Sequence, residues 1–227
     1  KSYMETNPEF AFNCAYKADE IANQTNDKKK QAYSKITIGD IFNINNFYSL
    51  SVSYYEKAVK ELLSINDYNT INKIYIKIAK LYQNNEIDSK WSIEAMENAL
   101  NYAQLTNNPN TIIETNMEYA EFHLSQKNHK EALKHYSKIL EHEINDNTIY
   151  AIARTITSIA NINASEKEYS KALALADSSL KLSKEKKIDI LTIKNYGLKG
   201  LVYDSLMTFD SAKIYYQKAA DIAYTIE

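Results

Sequence analysis

The chain has 227 residues, enough for a sizeable core, and only three glycines and two prolines, so it lacks the punctuation that strand hairpins and open loops need. Its 27 basic and 29 acidic side chains nearly cancel to a formal charge of -2, which gives no general electrostatic reason to bind nucleic acid or an anionic membrane surface. A single cysteine excludes an intrachain disulfide, and the most apolar stretch, 149–162, is interrupted by Arg154, Thr155, Thr157, Ser158 and Asn161, so no membrane span is expected.

Helices are what remains, and they can be taken in chain order. Asn7 before Pro8 sets a capping side chain ahead of a proline whose missing N–H is not needed, and predicts a leading helix over 8–24. Ala11, Ala15 and Ala18 recur on one face of it, and Cys14, lying among alanines, reads as a buried, inert thiol. Five helical hairpins are expected next, over about 28–64, 68–106, 109–143, 147–184 and 188–227, as one solenoid spanning 1–227. Polar clusters at 64–70, 106–111, 145–148 and 184–189 separate them, and shorter ones at 43–46, 84–89 and 126–130 mark turns within them. Asn108 before Pro109 marks another helix start. The short basic runs at 28–30 and 184–187 are read as solvated loops or helix ends.

Each hairpin carries one signature. Gly39, Ala79, Ala120, Ala160 and Gly200 are spaced by 40, 41, 40 and 40 residues. Twelve residues after four of them come Ser51, Ala132, Ala172 and Ala212, with Ser92 one residue later in the second unit. Tyr55, Met96, Tyr136, Ala176 and Tyr216 follow four residues on, and Ala58, Ala99, Ile139, Ser179 and Ala219 three after those. With a turn at the midpoint, as at Leu206 between Gly200 and Ala212, the two small residues face each other across an antiparallel helix pair and let the backbones approach. The i, i+4, i+7 series is then the packed face of the second helix. Tyr55, Tyr82, Tyr136, Tyr203 and Tyr216 take seam positions in this frame.

Small-x2-aromatic followed by Ala-x3-Tyr-x2-Ala resembles the tetratricopeptide repeat. The departures are the tryptophan position, filled by Lys35, Tyr75, Asn116, Ile156 and Tyr196, the missing closing proline, and a period of about 40 against roughly 34 in the family. Because the twelve-residue seam is kept, the extra residues are expected between one unit's second helix and the next unit's first, as longer helices or longer loops. The resemblance implies an all-α, right-handed α-solenoid of tetratricopeptide-like helical hairpins, a non-catalytic module that binds a peptide or protein segment in a concave groove lined by the first helices.

With the small residue as position eight, positions two, five, nine and twelve fall on the groove side. The sets are Tyr33, Ile36, Asp40, Asn43; Lys73, Ile76, Lys80, Gln83; Glu114, Met117, Glu121, Leu124; Arg154, Thr157, Asn161, Ala164; and Lys194, Gly197, Leu201, Asp204. The second set is basic, reinforced by Lys77, and the third acidic, reinforced by Glu118. Two readings stand: the two stripes pair with each other across neighbouring helices, or they form a bipolar groove for a peptide of both charge signs over a floor of Met117 and Ile76.

No catalytic constellation is found. There is no glycine-rich phosphate loop, no G-x-S-x-G and no H-E-x-x-H. His123, His129, His135 and His142 are separated by six, six and seven residues, whereas metal ligands on one helix want i, i+3 or i+4, so they are read as structural or surface groups. No catalytic residue, metal or cofactor is therefore expected, and an all-helical enzyme is the disfavoured alternative.

The long period, the wealth of Asn, Lys and Tyr, and phrases such as YDSLMTFDSAKIYYQKA also resemble the repeat segments of bacterial regulators. That implies the sensory part of a larger protein with an output domain after Glu227, periplasmic if membrane-linked and otherwise cytoplasmic. A free-standing assembly scaffold or secretion chaperone is the alternative. Ile214, Ile222 and Tyr224 face away from the Ala212 seam, which leaves room for a homo-oligomer through an open solenoid end.

Overall fold

The computed structural model describes residues 7–85 and 89–225, and among these every regular element is an α-helix. Eleven helices run in the order α1 (Pro8–Thr25), α2 (Lys28–Ile44), α3 (Tyr48–Leu63), α4 (Tyr68–Asn84), α5 (Ser89–Leu105), α6 (Pro109–Ser125), α7 (His129–Leu140), α8 (Ile149–Ser165), α9 (Tyr169–Glu185), α10 (Asp189–Ser205) and α11 (Phe209–Ala223). Contacts divide the chain into two units, Lys1–Thr115 and Asn116–Glu227. In the first, α2 packs on α3 and α4 on α5; in the second, α8 packs on α9 and α10 on α11.

Local chemistry sets the helix ends. The side chains of Asn7, Asp27, Asp67 and Asn128 each accept a hydrogen bond from the backbone N–H three residues on, at 3.0 to 3.3 Å, which satisfies a donor that the first turn would otherwise leave open. At the other ends, Asn26, Asn46, Asn66, Asn107, Lys127, Lys167, Lys187 and Met207 take left-handed backbone with φ between 50° and 64°. This role usually falls to glycine. Asparagine tolerates it, and lysine and methionine are exposed here and held by the flanking helices.

These turns explain the long period. They recur at intervals of about 20 residues or twice that, within hairpins and between them alike, and seven of the described helices are 17 residues long. The added length therefore sits in longer helices rather than longer loops, on the side of the between-hairpin turns: Gly39 stands thirteen residues after the turn at Asn26 but only seven before the one at Asn46, and Gly200 thirteen after Lys187 and seven before Met207. The exception is α7, only 12 residues long. The connection after it, 141–148, is ordered by Thr148, whose hydroxyl donates to the Glu143 carbonyl at 2.6 Å and accepts from the Asn145 N–H at 3.0 Å.

All five small residues, and Ser51, Ser92, Ala132, Ala172 and Ala212 across from them, are buried. In the first unit Ala11, Ala15, Ile38 and Ile41 form a cluster with Phe12, Phe42 and Tyr54 against it. In the second, Ala160, Ala172, Ala176, Leu198 and Val202 do the same. Two expectations for α1 are corrected. Ala18 is exposed and the packed face runs through Ala11, Ala15 and Ala22; Cys14, one residue and about 100° of helix from Ala15, is exposed too. Of the seam tyrosines, Tyr55 and Tyr136 are core, Tyr82 and Tyr203 are half-buried, and Tyr216 is 39 % exposed. The outer face of α11 also carries exposed Phe209, Ile214 and, just past its end, Tyr224, while Ile222 is half-buried.

At two of the seams a tyrosine ring packs directly against a glycine on the opposing helix. A Cβ on Gly39 would come within 2.8 Å of the Tyr55 ring and 3.3 Å of the Ser51 carbonyl; one on Gly200 would come within 2.6 Å of the Tyr216 ring. The two sites differ in what can move. Tyr55 is enclosed, so Gly39→Ala is expected to destabilise by about 1–2 kcal/mol despite alanine's better helix propensity. Tyr216 can swing into solvent, so Gly200→Ala is expected to be neutral or to stabilise by up to ~1 kcal/mol. Urea titration of the two variants measures this, and equal losses would mean that ring mobility does not decide the outcome.

Candidate functional site

In the first unit α2, α3 and α4 line an open cavity of about 360 Å³, formed by Asp40, Asn43 and Ile44 from α2, Tyr55 from α3, Lys77, Lys80, Leu81 and Asn84 from α4, and Asn85 beyond it. Its geometry follows from the repeat. Asp40 stands next to Gly39, so the seam that brings the Tyr55 ring onto the glycine also brings its hydroxyl to the Asp40 carboxylate, to which it donates at 2.6 Å. Lys77 Nζ donates to both oxygens of the same carboxylate, at 2.6 and 2.7 Å. Burial and then the Asp40 hydrogen bond hold the Tyr55 phenol far above its ordinary pKa, so it stays a donor at physiological pH.

The result is a fixed carboxylate, ammonium and phenol at the wall of a cavity also lined by three carboxamides. Asn85 Nδ2 donates to the Leu81 carbonyl at 2.7 Å, which turns its carboxamide onto the helix end. Lys80 has further interactions of its own and does not stand unpaired.

The other sequence candidates are distributed differently. Tyr33, Lys73 and Glu114 are exposed in the first unit, and Lys194 in the second. Met117 is 5 % exposed and packs inward, so it offers no floor to a ligand. Glu118 is half-buried with interactions of its own, and the Arg154 guanidinium donates to the Glu121 carboxylate. Asn161 donates to the Thr157 carbonyl at 2.9 Å and lines a second, smaller cavity of about 270 Å³ with Leu124, His129, Ser158, Ile162 and Ser165. Lys77 thus engages the set before it, and Glu121 the set after it.

The sequence reading placed Tyr55 in the seam and Asn84 and Asn85 in a turn, and so missed them as cavity residues. The available signal was spacing: Lys77, Lys80, Leu81 and Asn84 lie at i, i+3, i+4 and i+7, one face of α4.

No protein-family model matches the sequence, and no curated protein matches it. Solved structures do share its fold. The apo form of the quorum sensor NprR from B. thuringiensis superposes with a TM-score of 0.66 at 19 % identity, covering 91 % of this chain and 58 % of that one. Aspartyl phosphate phosphatase F from Bacillus subtilis gives 0.72 at 15 % identity, over 91 % of this chain and 55 % of that one. BtubC from P. vanneervenii gives 0.72 at 14 % identity, over all of this chain and 93 % of that one. The chain thus spans little more than half the length of two of these three proteins. With the helix order and the buried small-residue seams, these likenesses make the fold an all-α, tetratricopeptide-like repeat of helical hairpins.

Proposed function

We propose that this chain is a non-catalytic recognition module that binds a peptide or an extended protein segment at the Asp40–Lys77 cavity, as the sensory or regulatory part of a larger bacterial protein. The observation that carries the reading is the cavity itself, where a locked carboxylate–ammonium pair lies beside Asn43, Asn84 and Asn85. A carboxamide presents one acceptor and a donor group in the same plane, the complement of a peptide group, so asparagines suit a backbone whose side chains are read elsewhere. The ion pair offers both charge signs within one site and suits a segment carrying both. At about 360 Å³ the cavity has room for a side chain or two, which fits a short anchor better than a folded domain. The likeness to a quorum sensor supports the regulatory part of the reading through fold alone.

The test is a peptide array carrying mixed-charge sequences, followed by calorimetry on the best binder. Asn43→Ala and Lys77→Gln are each expected to weaken binding by about tenfold, the worth of one charge-assisted or well-placed hydrogen bond. Unaltered affinity in both variants, with helicity intact by circular dichroism, rejects the site. The exposed apolar face of α11 favours self-association as a second reading, and sedimentation velocity over a concentration series checks it.

A further inference from the structure

We infer that His123, Glu131 and His135 form a binding site for a first-row divalent transition-metal ion, with zinc the best chemical fit. The histidines stand twelve residues apart in sequence, too far for one helix, yet the turn at 126–128 folds α7 back onto α6 and brings them together. Imidazole nitrogens of both and a carboxylate oxygen of Glu131 all lie within 4.8 Å of one another. Glu131 and His135 are i and i+4 on α7, the spacing that puts two ligands on one face, and His123 faces them from α6.

The rings are already oriented. Tyr119 stacks on His135 with centroids 4.1 Å apart and on His123 at 4.9 Å, while the two imidazoles are 5.8 Å apart and within 16° of parallel. Rings on opposite faces of the tyrosine would be separated by nearly the sum of the first two distances, so the imidazoles lie side by side over it. His135 Nδ1 lies 3.1 Å from the Asn116 carboxamide oxygen, an acceptor, so Nδ1 carries the proton and Nε2 keeps its lone pair. That is the outer-shell arrangement by which metal-bound histidines are fixed.

A second observation points to a ligand independently. His123 is 6 % exposed, and its Nδ1 has no hydrogen-bond partner among the described residues. A buried ring nitrogen left without a partner carries a desolvation cost that a metal bond would remove.

Bonds of about 2.0–2.2 Å to zinc place tetrahedral ligand atoms roughly 3.3 Å apart, so the site must tighten by up to about 1.5 Å. The half-buried Glu131 can contribute to that by turning from Lys134, which now donates to it at 3.2 Å. Two imidazoles and one carboxylate suit zinc and its neighbours and are a poor set for magnesium or calcium, which want oxygen. Three protein ligands leave the fourth position to water, and the ion would pin α6 to α7 ahead of the 141–148 connection.

The whole chain, stripped with chelator, is titrated with zinc or magnesium and followed by calorimetry and thermal unfolding, with cobalt(II) as the spectroscopic probe. One zinc per chain, a raised Tm, no response to magnesium and a visible cobalt band of the tetrahedral type are expected. Glu131→Gln, an isosteric change at a half-buried position, should weaken zinc at least tenfold, and His123→Gln should abolish the cobalt band, with circular dichroism checking that both variants keep the fold. Absence of zinc binding, or wild-type affinity in Glu131→Gln, overturns the assignment; the latter would put the metal on His129 or His142 instead.

Discussion

Tyr55→Ala is expected to lower the unfolding free energy by about 4 kcal/mol, the range for deleting a large ring from a packed interior. The side chain is 1 % exposed, packs against Gly39 and forms one wall of the candidate peptide cavity. Two comparisons separate its roles. Tyr55→Phe keeps the ring and removes only the bond to Asp40, which Lys77 still holds, so about 1.5 kcal/mol is expected. Tyr216→Ala, at the equivalent repeat position but 39 % exposed, should cost no more than about 1 kcal/mol. Chemical denaturation of the three variants gives the ranking. A loss at Tyr216 equal to that at Tyr55 would show that the repeat position, not enclosure, sets the energy.

Asn195→Ala is expected to cost about 2 kcal/mol by breaking the buried polar network of the second unit. Asn195 Nδ2, on α10, donates to the Leu191 carbonyl at 2.8 Å and lies 3.0 Å from both Thr157 Oγ1 on α8 and Ser179 Oγ on α9. The two hydroxyls are 2.8 Å apart, and each donates to the Ala153 carbonyl. One carboxamide therefore ties three helices, and truncation leaves the hydroxyls short of a donor inside an enclosed space. Ser178→Ala, exposed on α9 and bonded only along its own helix, serves as the control and should change stability by less than about 0.5 kcal/mol. Amide hydrogen exchange in α8 and α10 should rise selectively in Asn195→Ala; unaltered exchange there would mean that the network does not couple the helices.

Particular residues show why some features were legible and others were not. Gly39, Ala79, Ala120, Ala160 and Gly200 could be found from spacing because close helix packing tolerates only small side chains at the contact, a constraint that leaves a mark at a fixed interval. Ala18 and Cys14 were misread because a short run of alanines carries too little polarity contrast to fix the helix face. The basic and acidic stripes were visible, but their partners were not. Lys77 pairs with Asp40 and Arg154 with Glu121, because a long side chain reaches whichever neighbouring helix presents the opposite charge. His123 and His135 looked unrelated while spacing was judged along one helix, and the turn at 126–128 set them beside each other.

By itself the sequence determined that the chain is helical, that its helices pair, and where each pair makes its tightest contact. These follow from periodicities of one to two helix turns, which short-range sterics and burial impose locally. Only the tertiary structure decided which charges meet, which tyrosine borders a cavity, and which two histidines share a glutamate. Those depend on distances between helices, and such distances are set by the turns and by ring packing at the seams rather than by any local run of residues.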